Sequence, residues 1–315
     1  MRLVESLQMI LEAKNNDRLV IFVGAGVSAN SGIPTWGTLI AKIAEKIKYK
    51  KEGEGFSASE YLRIPQYFYN KRKNNTEYYS FIKEALKCDD ALPNPIDELV
   101  LDLLPHHVIT TNYDHLLENT QGINKNLYSV VSKDKHLIEK SNNRYLIKMH
   151  GDFSDIKNIV LKESDYINYE QNHPLISTFI KALLISHTFL FVGYSLNDNN
   201  LNLIMGWIDY FCKQYSIKER PCHFLLLSNG TNRFEEKRLK NNSIYAINLN
   251  ELEKEKRINI TVPKCLTNPD GQKLYKYLLL LDDSSLSEKI YPLYTMMVGS
   301  KPRFPKKSCA LYAGN

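Results

Sequence analysis

Six short apolar runs, five of them closing on a polar or glycine-rich turn, leave this 315-residue chain few folds to choose from. The runs fall at 19–23, 108–111, 146–149, 189–192, 223–227 and 244–249. They are nearly continuous in apolar side chains rather than alternating, which fits strands covered by helices on both faces of a parallel sheet. Helical patterns intervene at 36–47, 76–86, 96–104, 175–186, 201–215 and 272–281. Strands that alternate with helices specify an α/β architecture. The expectation is one parallel sheet of about six strands flanked by helices.

Two regions read as additions to that sheet. Residues 50–105 separate the first two strands by far more than one crossover helix needs, and their aromatic helices (Tyr61, Tyr67, Phe68, Tyr69, Tyr78, Tyr79, Phe81) suggest an inserted helical module. The aromatic cluster reads first as core packing and only second as a ligand-stacking platform. Residues 154–174 read as a covering loop. The catalytic domain is expected over 1–285. Residues 286–315, which lose periodicity and collect Pro302, Pro305 and several basic residues, read as a linker or tail.

Composition excludes several classes. No apolar stretch approaches the roughly 18 residues of a membrane span, and Glu5 and Glu12 interrupt the N-terminal segment, which reads as an amphipathic helix and not a secretory signal. A cytoplasmic protein is expected. The five cysteines, Cys88, Cys212, Cys222, Cys265 and Cys309, are odd in number and scattered, which argues against a disulfide framework and against a zinc module. The net charge of +6, with basic clusters at 46–51, 71–73 and 301–307, reads as solvated surface and makes nucleic acid an unlikely partner.

Function is carried by position. GAGVSANSGIP follows the first run, TTNYDH the second, HGDF the third and GYSLNDNN the fourth, while Asn248 ends the last. Ligands of open parallel sheets bind outside the carboxyl ends of the strands, so these five segments converge on one crevice. In the first, Gly24-Ala25-Gly26 allows a tight turn and close backbone approach, the following amides suit a pyrophosphate, and Ser28 adds a hydroxyl donor. A dehydrogenase would need a second strand soon afterwards, ending in an acidic residue. The chain instead runs AKIAEKIKYKKEGEG, which is helical and then polar.

GAGVSANSGIP, TTNYDHL and KMHGD, in this order, resemble the signatures of sirtuins. FVGYSLNDNNLN, with SASEYLRIPQYFYN and LKESDYINYEQNHPLIS, is similar to the N-terminal effector domain of large defence-associated sirtuins, and the likeness runs from about Leu19 to Asp283. It implies a Rossmann-like sheet that takes NAD as substrate, without a metal. Two departures matter. Sirtuin deacylases carry zinc-binding cysteine pairs that this chain lacks, and Thr35-Trp36-Gly37 stands where they carry an acidic-aromatic-Arg sequence. Both favour an NAD hydrolase giving nicotinamide and ADP-ribose in antiphage defence. The alternatives are a protein deacylase or ADP-ribosyltransferase, and a non-catalytic NAD- or ADP-ribose-sensing assembly module. The resemblance also implies a homo-oligomer, a C-terminal sensor region or partner ATPase, and a phage-derived activator.

By the same resemblance Asn112 and His150 are the catalytic residues. Asn112 offers a carbonyl and an amide to a ribose hydroxyl or to water, and His150 can accept a proton near neutral pH. Thr111, Asp114, Gly193, Ser195, Asp198 and Asn248 join Gly24, Ala25, Gly26 and Ser28 as candidate cofactor contacts. Plainer readings stand beside these. Asn112 would cap a helix starting at Tyr113, His150 would be an ordinary hydrogen-bonded histidine at a strand end, and Asp114 would bond backbone in its turn. Asp152 would shape its loop or face the ribose. Ser195 and Asp198 would start the next helix.

Overall fold

A computed structural model describes residues 3–282, apart from 52–54, 72–74, 87–89, 121–125, 141, 196–198, 215–220 and 255–259. The expected tail at 286–315, the candidate Asp198, and Cys88 and Cys309 lie outside the described residues.

Seven parallel strands form one sheet: β1 (Leu19–Val23), β2 (His107–Thr110), β3 (Ser129–Val131), β4 (Tyr145–Lys148), β5 (Thr188–Val192), β6 (His223–Leu227) and β7 (Ile244–Asn248). Their order is β3-β4-β2-β1-β5-β6-β7. From β1 the chain moves outward through β2 to β3 at the edge, steps back to β4 between them, then crosses to β5 on the other side of β1. The connections leaving β1 and β5 therefore part in opposite directions, which opens a crevice at the carboxyl edge of the sheet.

Both faces are buried, as the apolar runs require. Along β1, Leu19, Ile21 and Val23 enter one core with the helices Leu3–Asn15, Pro95–Asp102 and Pro269–Asp282. Val20 and Phe22 enter the opposite core with the helices Pro174–Ser186 and Asn199–Gln214. The strand period of two thus persists inside a run with no polar residue.

Three of the observed elements depart from expectation. β3 is a seventh strand, only three residues long, at the sheet edge. The helix Arg233–Asn241, which links β6 to β7, was hidden by its charge, since Leu239 is its one buried residue. The helical module is also shifted. Its core joins Leu39, Ile40 and Ile43 of the Trp36–Lys46 helix to Ile64, Phe68, Tyr78 and Ile82 of the two aromatic helices. Pro95–Asp102, placed in the module by its position in sequence, packs instead on Pro269–Asp282 beneath the sheet.

Candidate active site

The segments following β1, β2, β4, β5 and β6 line one cavity of about 740 Å³ at the carboxyl edge of the sheet, within the range of small-molecule sites. Gly26, Ser28, Thr111, Asn112, Asp114, His150, Gly193 and Ser195 all contribute to its wall, as does Ala25.

Three glycines fix the cavity floor by packing on one another. Gly193 has φ +74°, and a Cβ there would lie 2.8 Å from the Val27 nitrogen and 3.0 Å from the Gly24 carbonyl. A Cβ on Gly24 or Gly26 would in turn meet the Gly193 carbonyl at 2.7 or 2.9 Å. Hydrogen bonds from Gly24 N to Val192 O (2.8 Å) and from Gly26 N to Gly193 O (3.0 Å) close the junction. The close approach that demands glycine here is therefore between two loops of the protein. Packing between two loops thus joins the tight turn and close ligand approach expected of Gly24 and Gly26.

Asn112 caps no helix. Residues 113–120 form no helix, and its side chain reaches across to the β1 loop. Nδ2 donates to the Gly24 carbonyl (3.2 Å) and to Ser28 Oγ (2.8 Å). Because a carbonyl can only accept, the amide orientation is fixed. Ser28 Oγ accepts from Asn112 and donates its own proton to Asp114 Oδ2 at 2.7 Å. The Ser28 hydroxyl proton is thus directed at Asp114, in place of the expected donation to a pyrophosphate. Asp114 also accepts from the Leu116 amide through Oδ1 (3.1 Å), the backbone role expected of it. Both amide hydrogens of Asn112 are engaged, and its Oδ1 accepts no hydrogen bond among the described residues. Thr110 Oγ1 supports the turn, donating to Val23 O (2.9 Å) and accepting from Asn112 N (3.0 Å). Thr111 Oγ1 pairs with the Tyr194 hydroxyl at 2.8 Å.

His150 is 2% exposed, and its Nε2 is buried without a hydrogen-bond partner. An ordinary strand-end histidine would be satisfied. Burial, with His173 adding to it, lowers its pKa to about 3, so the ring is a neutral base. Tyr166, from the covering segment, stands edge-on to the ring at 5.4 Å, and Tyr169 lies 6.2 Å away. Asp152 shapes its loop: Oδ1 accepts from Ser154 N at 2.7 Å.

Ser195 is exposed at the cavity wall, and one candidate stands apart from the rest. Asn248 lines a separate cavity of about 250 Å³ with Gly230, and its Oδ1 accepts from Asn250 N at 3.1 Å. β7 lies three strands from β1, roughly 14 Å at the usual inter-strand spacing, which removes Asn248 from the β1 loop. Sequence reasoning overlooked Lys148, Tyr166 and Tyr194. For Lys148 a signal was present: a lysine ends an apolar run whose two faces are both covered. Among the described residues no group of three or more His, Cys, Asp or Glu side chains could hold a metal ion, and no helix is long and apolar enough to cross a membrane.

A seven-stranded parallel sheet, a glycine junction at its switch point, and a buried histidine and an oriented asparagine lining one cavity define a Rossmann-like α/β unit. Residues 106–247 match the model of the SIR2-like domain, and the chain carries a domain of that kind. It is 40% identical over 226 residues to Defense-associated sirtuin 2 of Bacillus subtilis, which is 69% of this chain and 22% of that protein. It is 28% identical over 245 residues to NAD(+) hydrolase ThsA of Cytobacillus dafuensis, 74% of this chain and 48% of that one. The chain thus spans less than half the length of either relative. A solved complex of a Sir2 homologue with NAD aligns with 88% of this chain and 93% of its own, at 16% identity and a TM-score of 0.48.

Proposed function

We infer that the protein is an NAD hydrolase that cleaves the nicotinamide–ribose bond. The observation that carries this reading is a pair of unengaged groups at one cavity: the buried, unpartnered Nε2 of His150 and the oriented Oδ1 of Asn112. The similarity to proteins named as NAD(+) hydrolases and as a defence-associated sirtuin supports it.

The chemistry follows from the bond broken. The electron pair of the C1′–N bond leaves with nicotinamide and quenches the charge of its pyridinium ring, so no strong general acid is required. The ribose passes through an oxocarbenium-like state. Water adds to C1′, and one proton is lost to solvent by way of His150. Asn112 has only its carbonyl oxygen to give, so it accepts from a ribose hydroxyl or from the attacking water and holds it in place. In the Gly24–Ser28 turn the amides of Gly24, Gly26 and Val27 donate to protein carbonyls, which leaves the Ala25 amide for the pyrophosphate, with Thr111, Gly193 and Ser195 completing the wall. Ser28 and Asp114 act behind the site by aiming Asn112.

The same reading assigns the catalytic unit to residues 1–285. It places the enzyme in the cytoplasm during antiphage defence, as a homo-oligomer whose activation comes from outside this unit. The test is nicotinamide release by the purified chain at several protein concentrations. Asn112→Ala and His150→Ala should each lower it by about 10²-fold or more, the cost of one preorganised group in other enzymes. NAD left intact by the wild type under every condition tested would overturn the reading.

A further inference from the structure

Lys148 is the last residue of β4, paired in register with Thr110 of β2, and is 0% exposed. An ammonium held out of water is costly unless its protons find acceptors. Here the acceptors come chiefly from the turn that follows β2. Nζ donates to the Asp114 carbonyl at 2.5 Å and to Glu118 Oε1 at 2.8 Å, with the Tyr113 carbonyl at 3.4 Å. Asp152 Oδ2, in the loop after β4, lies 3.9 Å away.

The placement is specific to the two groups that matter. Asn112 sits immediately before the carbonyls that Lys148 grips, and His150 lies two residues beyond Lys148, in the turn that follows its strand. A single side chain therefore ties the turn carrying Asn112 to the strand end leading to His150, from beneath the cavity floor. We propose that Lys148 is a positioning residue of the hydrolase, setting the distance between Asn112 and His150 through its bonds to the Tyr113 and Asp114 carbonyls. The proposal rests on the hydrolase reading above. Glu118 balances the charge, and the two backbone carbonyls carry the geometry.

Separating these contributions needs two variants. Lys148→Met removes the ammonium and leaves Glu118 without its partner, so both stability and turnover should fall. Lys148→Met combined with Glu118→Leu removes both charges, a replacement that is often neutral or stabilising for a buried pair. Its melting temperature should return to within a few degrees of wild type. Its kcat should stay down by about 10²-fold, the cost of an ångström-scale misplacement, with KM for NAD changed less than about threefold. Recovery of kcat together with the melting temperature would overturn the proposal, leaving Lys148 as half of an ion pair. The double variant also serves if Lys148→Met alone does not fold. Should the wild type release no nicotinamide, the hydrolase reading fails by itself. Amide hydrogen exchange of residues 111–118 then tests the clamp: faster exchange in the double variant is expected, and unchanged exchange refutes it.

Discussion

His150 lines the cavity while almost wholly buried, and the consequence can be read in a pH profile. Burial lowers its pKa from an ordinary 6.5 to about 3, so the ring stays in its neutral, proton-accepting form well into acid. The free-enzyme titration appears in kcat/KM, which should stay flat from pH 8 down to about pH 5 in brief assays of nicotinamide release. An acid limb centred near 6.5 would mean that the working histidine is solvated. Ser28 gives a second residue-scale prediction. Ser28→Ala leaves one Asn112 amide hydrogen and Asp114 Oδ2 without their partner. It should lower kcat about ten- to a hundredfold, the effect of an unsatisfied buried group, with little change in KM in steady-state assays. The motif containing Asn112 was legible in the sequence. The relay from Asn112 through Ser28 to Asp114 was not, because it joins loops 84 to 86 residues apart in the chain.

The strands were legible because their composition and their burial say the same thing. β1 is apolar throughout and every residue in it is buried. Phe22 shows what that burial is worth: 0% exposed, it meets Phe191 at 5.4 Å and Tyr194 at 5.3 Å. Phe22→Ala should destabilise the fold by about 3–5 kcal/mol, read as a lowered urea midpoint with an unchanged slope. β3 carried no such signal. It pairs only with β4, and Ser129 and Val130 are half-buried. The boundary of the helical module was hidden for another reason, since an amphipathic helix does not announce which core its apolar face will join. Trp36–Lys46 and Pro95–Asp102 each made that choice through tertiary contacts alone.

Across the whole molecule the two edges of the sheet have opposite characters. The carboxyl edge holds the cavity, whereas His106, His107, His187 and His223 gather where β2, β5 and β6 begin. Burial lowers His107 to about 3 and His187 to about 4, and neighbouring histidines add to both shifts. Well above pH 6.5 the His107 and His187 rings are neutral in the folded and unfolded chain alike and contribute no pH dependence. Below it the unfolded chain takes up protons that the fold refuses, so stability falls as pH drops from about 6.5 toward 4. Urea midpoints at pH 7.5 and pH 5 should show this loss, and His107→Gln should reduce it. Equal midpoints at the two pH values would refute the assignment. Of the five motifs expected at one crevice, four arrived, and Asn248 did not because β7 lies at the far edge. The junction of Gly24, Gly26 and Gly193 bears on how such a site can be inherited or transplanted. Each glycine occupies the space the others leave empty, so the loop after β1 has no shape of its own to carry elsewhere. A graft of residues 24–28 onto another sheet would close only if the recipient already had a glycine waiting after the neighbouring strand.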